Sequence, residues 1–167
     1  MIRIVIAEDQ ELLLEAMRNL LNLEDDIEVV GSAVNGVEAI MLVNQLQPDI
    51  CIMDIEMPEK SGLEAAESLQ VDGCKVIILT TFARPGYFKR AMKADVRGYL
   101  LKDNPSEELA LSIRSIMDGK RIYSKELMDE DIGEADPLLQ KSSQSINKGS
   151  VRNYLSSIMD KIKLPTG

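Results

Sequence analysis

The chain has 167 residues, with 28 acidic and 19 basic side chains, no histidine, no tryptophan and two cysteines. This length favours one domain, or one domain with a small attachment, and it is enough to bury a core without disulfides. The lack of histidine excludes Ser-His-Asp and Cys-His catalysis, histidine-ligated zinc and haem, and a phosphohistidine carrier. Cys51 and Cys74 lie among apolar residues and cannot form a disulfide scaffold, so we expect buried, reduced thiols.

Charge is distributed unevenly along the chain. The formal charge of −9 divides into −8 for residues 1–123, −5 for 124–137 and +4 for 138–167. The opposite sign of the last segment is a first indication of contact with nucleic acid. No stretch approaches the roughly 18 apolar residues of a membrane span, and acidic residues interrupt the early apolar run. We therefore expect a cytoplasmic protein without membrane insertion.

Short apolar runs alternate with amphipathic helical patterns over the first 120 residues. This alternation predicts an α/β fold, a doubly wound five-stranded parallel sheet with helices on both faces. In chain order, we predict strand 2–7, helix 11–23, strand 29–30, helix 36–46, strand 49–53, helix 62–70, strand 75–79, helix 85–94, strand 98–101 and helix 106–118.

The pattern changes after the last of these helices, and we divide the chain accordingly. Residues 1–122 are predicted to form the α/β domain, and residues 123–145, acidic and then polar, a linker. A helical pattern returns within 146–167, where Val151, Leu155, Ile158, Met159 and Ile162 form an apolar stripe.

Polar side chains follow several predicted strands directly. Glu8 and Asp9 follow the first strand, Asp54 the third, Thr80 ends the fourth, and Lys102 follows the fifth. Ligands of open α/β sheets bind at this edge, where the strand order reverses. Clustered carboxylates repel each other unless a cation joins them, and oxygen ligands suit Mg²⁺. A carboxylate there can attack phosphorus to form an aspartyl phosphate, whose charge an ammonium group balances.

Five short motifs carry a resemblance to a known family. They are AED at 7–9, MDIEMP at 53–58, LTT at 79–81, TTFARPGYF at 80–88 and GYLLKD at 98–103. Over about residues 1–128 the chain resembles the flavodoxin-like receiver domain of two-component response regulators. The last two motifs resemble the NarL/FixJ (LuxR-type) subfamily in particular.

The resemblance implies specific roles for the residues at the predicted edge. Asp54 is the expected acceptor of a phosphoryl group from a sensor histidine kinase. Glu8, Asp9, Asp54 and the backbone carbonyl of Glu56 are the expected ligands of Mg²⁺. Lys102 is expected to pair with the phosphoryl oxygens. The protein is then a self-phosphorylating and self-dephosphorylating switch and not a metabolic enzyme.

Two further residues are implied in signalling, and one departs from the subfamily pattern. Thr80 is expected to turn toward the phosphoryl group, which lets Tyr99 turn inward. Asp95 stands where the subfamily usually has glycine in a turn. If that turn needs a positive φ, aspartate tolerates it better than most residues.

The resemblance also implies a homodimer formed on phosphorylation and a DNA-binding transcriptional role, with membrane-lipid genes as candidate targets. The first and fifth predicted helices carry more apolar residues than one core stripe needs, so we predict that Leu13, Met17, Leu109 and Ile113 lie in the dimer interface. The tail resembles the recognition helix of a LuxR-type helix-turn-helix, and its expected DNA contacts are Lys148, Ser150, Arg152, Asn153 and Tyr154.

The tail is only a partial helix-turn-helix, because residues 138–145 are too few for the two helices that normally precede a recognition helix. One alternative is therefore a receiver with no working DNA-binding domain. A second is an aspartate-nucleophile phosphatase of the haloacid dehalogenase type, which usually has Asp where Glu56 stands here. A third, a flavodoxin-like electron carrier, is disfavoured because Glu8 and Asp9 repel a phosphate.

Overall fold

Runs of β-branched and other apolar residues form a parallel sheet in the computed structural model of the chain. The structure describes residues 1–69, 73–81, 84–103 and 106–127. No helix in this part of the chain is long and apolar enough to cross a membrane. The elements are β1 Ile2–Ala7, α1 Glu11–Asn22, β2 Ile27–Ala33, α2 Gly36–Leu46, β3 Ile50–Met53, α3 Gly62–Ser68, β4 Lys75–Thr80, α4 Tyr87–Lys93, β5 Gly98–Leu101, α5 Ser106–Met117 and β6 Ile122–Tyr123.

The strands lie in the order β2-β1-β3-β4-β5-β6, and all neighbours are parallel. The chain first moves outward from β1 to β2, then returns across β1 to β3 and continues in the other direction. The strand order therefore reverses between β1 and β3. Crevices at the carboxyl ends of strands beside such a reversal are the usual ligand sites of this architecture.

Side chains of successive strand residues point to opposite faces of the sheet and build two cores. In β1, Ile4 and Ile6 pack with α1 and α5, whereas Val5 and Ala7 pack on the face covered by α2, α3 and α4. Because both faces are covered, the central strands are apolar in nearly every position, as parallel sheets require. The predicted doubly wound fold is confirmed.

Local signals fix where several helices begin. Asn35 accepts a hydrogen bond from the Glu38 amide (2.8 Å) at the start of α2. The Ser61 hydroxyl caps α3 by accepting from the Glu64 amide (3.1 Å). By contrast, α4 begins at Tyr87 and not at residue 85, because Gly86 has a left-handed backbone conformation with φ 90°.

Three predictions about the extent of the sheet and the domain need correction. The sheet has six strands, because Ile122–Tyr123 adds β6 beside β5. The domain also extends past the predicted boundary at residue 122, since Leu127 is buried in the core on the α4 side. A strand of two residues is too short for a periodic pattern, so no pattern in the sequence indicates it. β2 is longer than the predicted 29–30, because its exposed Glu28 and Ser32 obscured the apolar run.

The four residues predicted for a dimer interface lie in the core. Leu13, Met17, Leu109 and Ile113 are all buried and pack together between the sheet and helices α1 and α5. This prediction of interface residues is therefore wrong, because a residue must be exposed in the monomer to form an interface. The apolar excess of the two helices is mostly used for their own packing, while Leu111 of α5 is 60% exposed.

We predict that Ile113→Ala lowers the free energy of unfolding by about 2–5 kcal/mol, because it opens a cavity beneath α5. Urea unfolding followed by circular dichroism measures this value. Leu111→Ala on the same helix is the matched control, and we expect a change within about 0.5 kcal/mol. Equal losses for the two variants would contradict the assignment of Ile113 to the core.

Candidate functional site

The carboxyl ends of β1 and β3 place two acidic residues side by side. Ala7 of β1 is paired with Met53 of β3, so the next residues, Glu8 and Asp54, lie at the same edge. The Asp54 amide donates to the Ala7 carbonyl (3.2 Å), which holds the two strand ends together. This edge lies at the reversal of strand order, where the sequence predicted the site.

Lys102 joins these two carboxylates. Its Nζ donates to Glu8 Oε2 (2.7 Å) and to Asp54 Oδ2 (2.8 Å), and all three side chains are buried. The backbone of Lys102 is held by its amide, which donates to the Thr80 carbonyl (2.8 Å). The structure therefore brings the predicted residues of β1, β3, β4 and β5 together at one edge.

Burial and charge act in opposite directions on these groups. Burial raises the pKa of Glu8, and the neighbouring ammonium of Lys102 only partly offsets this effect. Burial alone lowers the pKa of Lys102, but the charges of Asp54 and Glu8 outweigh it, so the pKa is raised. Lys102 is therefore a fixed positive charge at neutral pH.

The Asp54 side chain is held in one orientation because each of its two carboxylate oxygens accepts a hydrogen bond from a different donor. Oδ1 accepts from the Ile55 amide (2.7 Å), and Oδ2 accepts from Lys102. Gly62, at the start of α3, packs so closely that a Cβ would lie 2.0 Å from the Asp54 carbonyl oxygen. Sequence reasoning missed Gly62, although a glycine just after a capping serine was an available signal. Its role is to let α3 approach the loop that carries Asp54.

Three carboxylates form a cluster that fits a hard cation. One oxygen each of Glu8, Asp9 and Asp54 lies within 4.8 Å of the others. Asp9 is exposed, whereas Glu8 and Asp54 are buried, so the cluster opens to solvent on one side. Carboxylate oxygens with room for water are the ligands that Mg²⁺ prefers.

The two predicted switch residues are both buried. Thr80 ends β4 at the same edge, and Tyr99 of β5 has no exposed surface. The Tyr99 ring packs against Phe88 of α4, with ring centroids 5.8 Å apart. Tyr99 is therefore inside the core, under α4, in this structure.

The Glu56 side chain points away from the acidic cluster. Its Oε1 accepts from the Tyr87 hydroxyl (3.1 Å) and lies 3.8 Å from Arg84 Nε. The sequence prediction assigned the backbone carbonyl of Glu56, not its side chain, to Mg²⁺, and that assignment stays a prediction. The contact with Tyr87 was not predicted, because nothing local in the sequence indicates a contact 31 positions apart.

A family model for the response regulator receiver domain matches residues 4–114. The chain belongs to the response regulator receiver family. The match contains Glu8, Asp9, Asp54, Thr80 and Lys102, which together form what we call the acidic edge, so the receiver resemblance in the sequence is confirmed.

Relatives with known names extend this comparison beyond the receiver domain. The chain is 56% identical to the transcriptional regulatory protein DesR of Bacillus subtilis, over 98% of this chain and 92% of DesR. A LuxR-family DNA-binding response regulator from Staphylococcus aureus is 40% identical, with a TM-score of 0.67 over 70% of this chain and 99% of that one. A LuxR-family regulator from Aurantimonas sp. SI85-9A1 is 30% identical, with a TM-score of 0.71 over 79% of this chain and 96% of that one.

The alignment with DesR spans 182 positions, which is longer than the 167-residue chain. DesR therefore has residues inside the aligned region that have no counterpart here. The predicted DNA contacts Lys148, Ser150, Arg152, Asn153 and Tyr154 lie outside the described residues.

The unusual Asp95 of this receiver does occupy a left-handed turn. Its φ is 57°, so the expectation of a positive φ is confirmed. The carboxylate also forms ion pairs with Arg97 (3.2 Å) and with Arg121. Glycine could not provide these contacts, which connect the start of β5 to the start of β6.

We predict that Glu8 makes the folded receiver less stable as the pH rises. Because its pKa is raised above 4.5 on folding, the folded state binds more protons than the unfolded state in this range. The unfolding free energy of the wild type should therefore fall relative to Glu8→Gln as pH increases from about 4.5 through the raised pKa. Urea unfolding in metal-free buffer between pH 4.5 and 8 measures the difference.

The control for this experiment is Glu15→Gln, which removes an exposed carboxylate of α1. Its stability relative to wild type should stay nearly constant over the same pH range. The prediction is contradicted if the difference in unfolding free energy between wild type and Glu8→Gln stays constant with pH, or if the wild type gains stability relative to that variant. Either result would show that burial does not raise the pKa of Glu8.

Proposed function

We propose that this receiver is a phosphorylation switch in which Asp54 accepts a phosphoryl group from a sensor histidine kinase. The observation that carries the proposal is the pair of contacts from Lys102 to Asp54 and Glu8. Asp54 is 9% exposed, so a phosphoryl donor can reach it, and its carboxylate is oriented by Ile55. The protein is proposed to act in the cytoplasm, where such kinases present their phosphorylated histidine.

In the transfer, an oxygen of Asp54 attacks phosphorus while the bond from phosphorus to the donor breaks. The Lys102 ammonium lies within hydrogen-bond distance of Asp54 and is placed to stabilise the charge on the phosphoryl oxygens. Glu8, Asp9, Asp54 and the Glu56 carbonyl are the proposed ligands of Mg²⁺, which when bound offsets the negative charge of these acids and of the phosphoryl group.

After transfer, Thr80 is proposed to move toward the phosphoryl group because it ends the strand beside Lys102. Tyr99 lies under α4 against Phe88, so a shift of β4 and α4 changes the packing around that ring. This is a path by which the acidic edge can alter the α4 surface.

We predict that wild-type protein incubated with Mg²⁺ and acetyl phosphate gains the mass of one phosphoryl group. Asp54→Asn should gain none, because an amide cannot act as the nucleophile. Asp25→Asn changes an exposed aspartate between α1 and β2, and this variant should gain the same mass as the wild type. Intact-mass spectrometry reads all three, and equal labelling of Asp54→Asn would refute the assignment.

Phosphorylation is proposed to promote a homodimer through α1 and α5. The support is the exposed apolar surface that remains on these helices, at Leu12 and Leu111, after the core residues are assigned. α1 and α5 lie on the same face of the sheet and pack against each other, so the two residues belong to one side of the domain.

We predict that Leu111→Glu prevents dimer formation on phosphorylation without preventing the mass gain, because it places a charge in the interface. Size-exclusion chromatography with light scattering measures the change. Met41→Glu is the matched control, since Met41 is also about 60% exposed but lies on α2. The proposal fails if the phosphorylated wild type stays monomeric, or if Met41→Glu has the same effect as Leu111→Glu.

The phosphorylated protein is proposed to regulate transcription by binding promoter DNA. The support is the identity with DesR along almost the whole chain and the positive charge of residues 138–167. Lys148, Ser150, Arg152, Asn153 and Tyr154 are the proposed contacts. Enrichment of specific sequences from a random DNA pool, lost in Arg152→Ala, would support this role.

The alignment with DesR favours a second candidate, a receiver that acts without its own DNA-binding domain. The support is that residues 138–145 are too few for the two helices that precede a recognition helix, and that DesR has residues inside the aligned region that this chain lacks. In the same selection, this candidate predicts no enrichment by the phosphorylated wild type. The mass gain on Asp54 is expected under both candidates, so the two questions are tested separately.

A further inference from the structure

Basic residues of the receiver are concentrated in two short segments. Residues 84–97 contain five of the 13 basic residues of residues 1–123, and residues 120–121 contain two more. The same two segments contain a single acidic residue, Asp95, although the receiver as a whole is acidic. This concentration marks α4 and the starts of β5 and β6 as a distinct surface.

The two segments meet in space. Asp95 pairs with Arg97 and with Arg121, and the Ile122 amide donates to the Arg97 carbonyl (3.0 Å). The ring of Tyr123 in β6 packs edge-on against Phe88 of α4. We define the basic face by five residues, all exposed except the half-buried Arg97: Lys89, Arg90, Lys93, Arg97 and Arg121.

Acidic groups within the described residues balance only part of this charge. Arg90 pairs with Glu67 of α3, and Asp95 is shared by Arg97 and Arg121. Lys89 and Lys93 form no ion pair within the part of the chain that the structure describes. They stand four positions apart on α4, on one side of the helix. The basic face is therefore an exposed, net positive surface.

The described chain ends at a residue that is buried on the sheet face covered by α4. Leu127 is 2% exposed and belongs to the same core cluster as Phe88, Met92 and Tyr123. The sequence that follows, MDEDIGEADP at 128–137, contains five acidic residues and no basic residue. A strongly acidic segment therefore follows, in sequence, a residue buried on the same side of the sheet as α4, which carries three of the five residues of the basic face.

We propose that the acidic segment 128–137 docks on the basic face of its own chain. The occupant is identified by the complementary charge and by the point at which the chain leaves the core. Ten residues extend about 33 Å at most, which is ample to cross a helix of seven residues. The contact goes beyond phosphoryl transfer and does not depend on it, because none of the residues involved lies in the acidic edge.

Tethering favours docking within one chain over docking between chains. Because the acidic segment is joined to the basic face by a short stretch of chain, its effective concentration at that face is of the order of millimolar. Ion pairs that are each weak at a protein surface can therefore form together. The contact should be sensitive to salt, because exposed charges are screened within about 10 Å at 0.1 M ionic strength. A docked segment covers α4, the helix whose Phe88 packs on the predicted switch residue Tyr99.

Zero-length cross-linking of the wild-type full chain tests the proposal. A carbodiimide joins lysine amines to carboxylates in direct contact, and tandem mass spectrometry identifies the joined residues. We expect cross-links from Lys89 and Lys93 to Asp129, Glu130 or Asp131 to exceed those from Lys60 at least fivefold at 50 mM NaCl. The excess should fall to below twofold at 500 mM NaCl.

A mixture of ¹⁴N- and ¹⁵N-labelled chains separates contact within one chain from contact between two. Cross-links within single chains support the proposal, whereas mixed-isotope cross-links as the main product overturn it in favour of a second copy. Cross-linking of Lys89 and Lys93 no greater than that of Lys60 also overturns it. As a check without cross-linking, neutralising Asp129→Asn, Glu130→Gln and Asp131→Asn together should shift the backbone amide resonances of residues 89–97 and leave those of residues 11–22 unchanged.

Discussion

The ammonium group of Lys102 between Glu8 and Asp54 is the interaction on which the candidate site depends. Two buried carboxylates that share one ammonium group repel each other. Removing them from water costs free energy, which a buried cation must offset. Lys102 offsets it from within the chain, since its own pKa is raised by the two acids. The same positive charge is placed to stabilise an added phosphoryl group. The Lys102 ammonium therefore both stabilises the buried acids and is available for phosphoryl transfer.

This arrangement requires the topology of the sheet. Lys102 is 94 positions from Glu8 and 48 from Asp54, and the three meet because β1, β3 and β5 end at one edge. The pairing of Ala7 with Met53 and of Thr80 with Leu101 fixes which residues come next at that edge. A one-residue slip in either register would move a carboxylate or the ammonium group to the other face of the sheet. The apolar strands thus determine the chemistry through their register.

Much of this could be predicted from the sequence, because strand and helix periods are local and the reversal rule places the site. The residues at strand ends, Asp54 and Lys102 among them, followed directly from those two facts. Contacts between distant elements could not be predicted, such as the close approach of Gly62 to Asp54 or the bond from Tyr87 to Glu56. An apolar helix pattern also does not tell core from interface, which is why Ile113 was assigned to the wrong surface.

Locating the phosphoryl group within the chain tests the central claim most directly. After labelling with acetyl phosphate and Mg²⁺, reduction with borohydride converts an aspartyl phosphate to homoserine, which tandem mass spectrometry identifies by position. We predict homoserine at residue 54, because Asp54 is the aspartate whose carboxylate is held by both the Ile55 amide and the Lys102 ammonium in the described part of the chain. Homoserine at Asp9 or at any other aspartate, with none at residue 54, would contradict it.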